Sequence, residues 1–282
     1  MGSGAWTTTS FVNYSASKGR SITADSVVDT SFVRSAQDMY SMIDLAADMN
    51  PLDIVRECRD TEEHPRTVPV ILALDVTGSM GGAAVEVASK LGKIMQDVME
   101  TKSDVEFCIM GIGDLAYDKA PIQMSQFESD IRIAEHLDKV FFEAGGGGND
   151  YESYTAAWYM GLYHTDLDCW KRGEKGIIIT IGDEPLNPYL PVAPLRRVTG
   201  DNQFGAEMQT ETQNLYDAVT EKFDVYHIAV DDAQTAYKYY KNFIDMTFGR
   251  ILGEHLIVAK MDEIHDAIVS CIGTTSKGDV SW

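Results

Sequence analysis

The stretch VPVILALDVTGSM, residues 68–80, decides how the rest of the chain is read. An almost unbroken apolar run, rich in β-branched side chains, stops on Asp75. Near-continuous hydrophobicity is the pattern of a strand buried on both faces, as in a parallel sheet. Two hydroxyls then follow at alternate positions, Thr77 and Ser79, with Gly78 between them and Gly81-Gly82 beyond. Alternate positions let the side chains converge on one point, and the glycines let the backbone turn closely there. On the residues alone, such a strand end is built for one of three things: a phosphoryl group on Asp75, a metal ion, or nothing.

Four further runs have the same texture: VEFCIMGI at 105–112, GIIITIG at 176–182, DVYHIAV at 224–230 and EHLIVAK at 254–260. Helix-period segments separate them, over 84–99, 130–142, 152–164, 209–222, 233–246 and 261–272. The first sets Val87, Leu91, Ile94 and Val98 on one face. APIQMSQF, residues 120–127, breaks the rhythm and reads as a short strand in a hairpin. Strand–helix alternation predicts an α/β domain over 67–282, Rossmann-like and doubly wound, with a mostly parallel central sheet flanked by helices. Residues 1–66 form a separate extension. Its first 30 residues are rich in Ser and Thr and read as an extended arm. Residues 31–58 carry a helical pattern (Phe32, Val33, Ala36, Met39, Tyr40, Ile43, Leu45, Ala46), interrupted by Pro51, with a further helix expected in LDIVRECRD.

Composition narrows the function. With 282 residues, 44% of them hydrophobic, the chain is ample for a buried core. A formal charge of −21 leaves no long-range attraction for nucleic acid or an anionic membrane, so neither is expected as a partner. Cys58, Cys108, Cys169 and Cys271 show no CxxC spacing and read as buried free thiols in a reducing compartment. The N-terminus has no signal-peptide pattern and no run is long enough to span a bilayer, so the expected location is cytoplasmic.

In doubly wound folds, ligands bind at the carboxyl ends of the strands. Asp75, Asp114 and Asp183 end or follow strands there, as do Asp231 and Asp232. The loop EAGGGGNDYES, residues 143–153, brings Asn149, Asp150, Glu152 and Ser153 to a helix start. Carboxylate and hydroxyl oxygens are hard ligands suited to Mg²⁺, with Mn²⁺ or Ca²⁺ also compatible. Several carboxylates on one rim repel one another unless a cation or protons neutralise them. The phosphoryl alternative makes Asp75 a nucleophile. The strand end does resemble the loop of haloacid-dehalogenase-type phosphatases and cation-pumping ATPases, and IGDEPLN resembles their acidic Mg²⁺ loop. Against it, Thr77 stands where those enzymes carry a general acid, and no lysine is clearly placed at a strand end.

The metal reading extends further. DVTGSM resembles the metal-ion-dependent adhesion site (MIDAS) motif Asp-x-Thr-x-Ser of von Willebrand factor A domains. MGIGDLAYD, the segment from Phe127 to Trp158 and IIITIGDEP follow in the order found in A domains of hemicentin and some α-kinase proteins. The likeness covers about 200 residues and three ordered loops. It implies that Thr77 and Ser79 bind the ion directly, and Asp75 and Asp183 through water. The second loop departs from the family pattern. Many A domains have Gly-Gly-Thr where this chain has Gly147-Gly148-Asn149-Asp150, so the second-loop ligand lies between Asp150 and Glu152. The resemblance implies a non-enzymatic protein-interaction module that presents a divalent metal to a Glu or Asp of a protein partner. Stand-alone bacterial and phage A domains are often adaptors or parts of larger assemblies, and membership of one is expected here. A structural A domain with an empty site is the remaining alternative.

Each residue also has a plainer role to weigh. Ser79 is a suitable helix N-cap, Asp183 a turn residue before Pro185, and Asp150 and Glu152 suit a helix N-terminus. Asp231 and Asp232 read as caps of a helix from Ala233. His227 reads as a hydrogen-bonded core histidine, and Trp158 and Tyr159 as packing residues. YKYYKNF, residues 237–243, reads as core packing plus a solvated face.

Overall fold

A computed structural model describes residues 4–31, 33–143, 149 and 151–274. The strands are β1 Arg56–Cys58, β2 Val68–Asp75, β3 Val105–Ile112, β4 Ile122–Met124, β5 Thr165–Leu167, β6 Gly176–Gly182, β7 Tyr189–Pro191, β8 Gln209–Glu211, β9 Phe223–Val230 and β10 Leu256–Ala259. The helices are α1 Thr8–Ser17, α2 Ala36–Met39, α3 Gly81–Thr101, α4 Arg132–Asp138, α5 Thr155–Tyr163, α6 Val192–Thr199, α7 Thr212–Val219, α8 Tyr237–Ile244, α9 Arg250–Leu252 and α10 Ile264–Thr274.

A six-stranded sheet in the order β10-β9-β6-β2-β3-β4 forms the centre. Its first five strands run parallel, and β4 pairs antiparallel with β3 at the edge, as the hairpin reading expects. The five apolar runs are the five parallel strands. Strand β2 is buried from Pro69 to Asp75, and its side chains divide by the period of two. Val70, Leu72 and Leu74 enter one core layer with α3, α4 and α10, whereas Ile71 and Ala73 enter the other with α5, α7 and α8. The four α3 residues predicted to share a face, Val87, Leu91, Ile94 and Val98, are all buried. The architecture is therefore the expected doubly wound, mostly parallel α/β fold. The connection after β2 leaves on the α3 face, and the one after adjacent β6 leads to α7 on the other. Chains that part to opposite faces open a crevice between them, and the carboxyl ends of β2 and β6 meet there. All four cysteines are free and buried.

The N-terminal segment differs from the sequence expectation. Residues 8–17 form α1 instead of an extended arm, capped by Thr7, whose hydroxyl accepts the Ser10 N–H at 3.1 Å. This helix forms because it has a surface to cover: Trp6 and Phe11 are buried in the core layer that contains α3. The Ser- and Thr-rich composition conceals that short apolar face. Residues 31–58 are not a continuous helix. They contain α2, a 3₁₀ turn at Ala47–Met49 and strand β1, which pairs parallel with β5 where a further helix is expected. Local side-chain bonds compete with helix here: Asp38 accepts the Arg34 N–H at 2.8 Å, and Asp44 accepts the Leu45 N–H at 2.8 Å. Ala36, Met39, Tyr40 and Ala46 of the expected apolar face are buried, but Ile43 is 88% exposed, and Phe32 lies outside the described residues. The hairpin β7–β8 and helix α6 between them depart from the sequence expectation: Gln209–Glu211, expected to open the 209–222 helix, pair with β7 as β8, and α7 begins only at Thr212.

Docking of the extension depends on one close approach. Arg20 and the Tyr14 hydroxyl both bind Asp138, at 2.9 and 2.7 Å. The Val28 N–H donates to the Ser89 carbonyl at 2.8 Å. Gly92 of α3 lies directly beneath, where an added Cβ would sit 2.4 Å from the Ser26 carbonyl oxygen and 2.5 Å from the Phe11 ring. Helix propensity alone predicts that Gly92→Ala stabilises α3 by up to about 1 kcal/mol. Overpacking against a backbone oxygen predicts the reverse, a loss of about 1–3 kcal/mol with faster proteolysis of residues 4–30. Urea unfolding and limited proteolysis of the variant check the sign, and a stabilised variant would contradict this packing.

Candidate metal centre

Strand β2 ends by directing Asp75 into the crevice. The side chain is only 1% exposed. Its Oδ1 accepts the Thr77 N–H at 2.9 Å and the Thr77 hydroxyl at 2.5 Å. Gly78–Met80 then form a 3₁₀ turn that leads into α3. No side chain caps either the turn or the helix, so Ser79 does not have the capping role considered for it. It lies instead beside Asp183 on the neighbouring loop.

Asp183 follows β6 and is fully buried. Its Oδ2 accepts the Ala236 N–H at 2.6 Å, which attaches the approach to α8 to the rim. Its Oδ1 is buried without a hydrogen-bond partner. The expected helix from Ala233 begins later, at Tyr237. Asp232 closes a turn by accepting the Gln234 N–H, and Asp231 pairs with Lys260 at 2.7 Å. Neither caps a helix from Ala233, because the backbone first makes this turn around Thr235.

Sequence reasoning missed Tyr154. This buried tyrosine at the start of α5 donates its O–H to Asp75 Oδ2 at 2.7 Å. The same oxygen accepts the N–H groups of Asp183 and Glu184, at 3.2 and 3.3 Å. One hydroxyl thus joins three loops. A Cβ at Gly182 would lie 2.1 Å from that oxygen, so the end of β6 has room for glycine only. In the sequence, Tyr154 cannot be told from neighbouring aromatics that only pack, such as Trp158, which is buried.

The second loop brings Glu152 into the crevice. It is 2% exposed, its Oε2 has no partner, and its backbone bridges to Leu186 just after the third loop. Asp150 and residues 144–148 lie outside the described residues. Asn149 donates to Asp114 Oδ2 at 2.5 Å, and Ser153 accepts the Leu115 N–H at 3.0 Å. Asp114 is turned to the loop after β3, where it accepts the Ala116 N–H at 2.6 Å. His227 fits its core reading: it is fully buried, shares a 2.8 Å hydrogen bond with Thr180, and stacks on Phe248.

Asp75, Thr77, Ser79, Glu152 and Asp183 therefore surround one crevice. Burial raises the pKa of all three carboxyls. Asp183 pushes that of Asp75 further up, and Asp75 with Glu184 that of Glu152. Hydrogen bonds from Thr77 and Tyr154 partly offset the shift at Asp75, as the Ala236 N–H and Ser79 do at Asp183. Buried oxygens without partners are costly unless something binds them. Glu152 Oε2 and Asp183 Oδ1 are two such atoms, and the donor set is hard oxygen, so the residues fit a divalent cation. Among the described residues, no three His, Cys, Asp or Glu side chains gather closely enough to hold a metal by themselves. A cleft of about 510 Å³ opens over the loop, lined by Gly78, Gly81, Gly82 and Gln234 on one side and by residues 33–37 of the extension on the other.

No known family profile matches the chain, and no curated protein matches it. Solved structures do. The pilus adhesin SpaC from Lactobacillus rhamnosus GG, in its open conformation, is 13% identical with a TM-score of 0.44, over 76% of this chain and 30% of that one. The vWF domain of the type V pili tip protein Mfa5 from Porphyromonas gingivalis is 12% identical with a TM-score of 0.44, over 77% of this chain and 98% of that one. Proximal thread matrix protein 1 from the mussel byssus is 11% identical with a TM-score of 0.47, over 73% and 47%. The chain thus spans about a third of the length of the pilus adhesin and about half that of the byssus protein.

Tyr154→Phe retains the ring and removes only the hydroxyl that joins the loops. It leaves the Asp183 and Glu184 N–H groups without that acceptor. A loss of about 1–3 kcal/mol is expected in urea unfolding, since the Asp75 carboxyl and the Asp183 N–H each lose a buried partner. Unchanged stability would show that the bridge carries no energy.

Proposed function

We propose that the chain is a metal-dependent protein-interaction module of the MIDAS type. One observation carries the reading: the ends of β2 and β6 bring Thr77, Ser79, Asp75 and Asp183 to one crevice, the loop before α5 adds Glu152, and two of the buried carboxyl oxygens there are unpartnered. Thr77 and Ser79 would hold Mg²⁺ directly, with Asp75 and Asp183 acting through water and Glu152 or Asp150 completing the set. Mn²⁺ or Ca²⁺ suits the same donors. The bound ion supplies a positive charge and an open position on an otherwise anionic rim. A Glu or Asp of a partner protein takes that position, and without the ion the rim repels it.

The hydrogen bonding of Asp75 favours this reading over phosphotransfer. Both carboxylate oxygens are engaged, by Thr77 and by Tyr154, and the side chain is buried. A nucleophile needs a free oxygen facing its substrate. The module is accordingly proposed to be non-enzymatic, serving as an adaptor or as a component of a larger assembly.

Calorimetric titration with Mg²⁺ tests the proposal. Saturable binding of one ion is expected for the wild type. Asp75→Ala should weaken it by about 10–100-fold, the usual effect of losing an outer-shell partner. Absence of wild-type binding would refute the metal reading, and a covalent-like beryllium fluoride adduct on Asp75 would restore the enzymatic one.

A further inference from the structure

Helix α8 begins at the rim, because the Ala236 N–H immediately before it binds Asp183 Oδ2. Its inner side is core: Tyr237, Ile244 and, in the following π turn, Phe248 are buried. Its outer side carries Tyr239 and Phe243, 74% and 56% exposed, and Met246 in the following π turn is 69% exposed. Single exposed hydrophobic residues need no explanation. Tyr239 and Phe243 differ, because a spacing of four places them along one stripe of the helix, and Met246 lies exposed in the π turn that continues it. At a rise of about 1.5 Å per residue, the stripe runs from roughly 5 to 15 Å away from the rim contact. Tyr, Phe and Met are also the side chains enriched at interface centres.

The charge around the stripe is distinctive. The chain carries a net −21, yet Tyr237–Ile244 holds two lysines and no acid, and the first acid beyond it is Asp245. Lys238 places its ammonium 4.9 Å from the Tyr239 ring centre, and Lys241 is exposed. A surface that is apolar along its centre and carries two lysines along α8, with exposed Asp245 only at its far end, complements an acidic, apolar-faced partner. An acidic partner is also what a cation on the rim would attract.

We propose that the α8 stripe is the second half of the docking surface. A partner segment that directs an acidic side chain to the metal lays its apolar face along Tyr239, Phe243 and Met246, and its acidic flank meets Lys238 and Lys241. This inference rests on the metal-dependent reading of the rim.

The probe is a displayed library of random 16-residue peptides, selected on the full chain in Mg²⁺. Enriched peptides are expected to carry an acidic residue followed by apolar residues at helical spacing. A synthetic copy of the leading peptide should bind the double variant Tyr239→Ser/Phe243→Ser about tenfold or more weakly. The variant's thermal midpoint should stay unchanged, since both side chains are mostly exposed. Lys238→Glu/Lys241→Glu should weaken binding with a reduced salt dependence. Weakening by the α8 variants together with indifference to chelator and to Asp75→Ala supports the stripe and refutes the metal reading. Loss of binding with chelator, but none with the α8 variants, overturns the stripe and leaves the metal reading standing. Failure to enrich any peptide on the wild type also overturns the stripe.

Discussion

Everything at the rim follows from placing three carboxyls where bulk solvent scarcely reaches them. Asp75, Glu152 and Asp183 are each 2% exposed or less. A buried carboxylate loses hydration, and its neighbours add repulsion, so all three hold their protons more tightly than in water. A carboxyl whose pKa folding raises is more protonated in the native state than in the unfolded one. Its burial therefore costs little below the ordinary carboxylate pKa of about 4, and stability declines as the pH climbs above it. Near neutrality the arrangement works against the fold unless a cation compensates. Natural sequences tolerate such local conflict mainly where it serves a function.

The surroundings hold this unfavourable cluster in place. The Tyr154 hydroxyl binds the first loop to the third, and Thr77 closes the first loop onto its own aspartate. The Ala236 N–H draws the approach to α8 against Asp183. Residues 33–37 of the extension form one wall of the cleft above Gly78, Gly81 and Gly82. Buried residues between Trp6 and Met49 contribute to the same core layer as α3.

The legible parts were those that follow from local pattern. Strands buried on both faces leave a near-continuous apolar trace, so β2, β3, β6 and β9 were readable, and with them the positions of Asp75 and Asp183, whereas β10 has the same trace but is an edge strand with Val258 46% exposed. Helix α3 was readable because its apolar residues recur at helical spacing. Segments stabilised by tertiary contact were not. Helix α1 exists because Trp6 and Phe11 find a surface on the core, and β1 because β5, over a hundred residues later, offers it a ladder. Tyr154 was missed for the same reason. Its role comes from meeting an aspartate 79 positions earlier, and no local spacing encodes that.

The central claim is that this rim is built around a divalent cation. Anomalous diffraction from crystals of the full chain grown with Mn²⁺ tests it most directly. The account predicts one anomalous peak in the crevice, bonded to the hydroxyls of Thr77 and Ser79, with Asp75 and Asp183 reaching it through water. A crevice without a peak at saturating Mn²⁺, or an ion bound elsewhere with both hydroxyls still turned to protein partners, would contradict it.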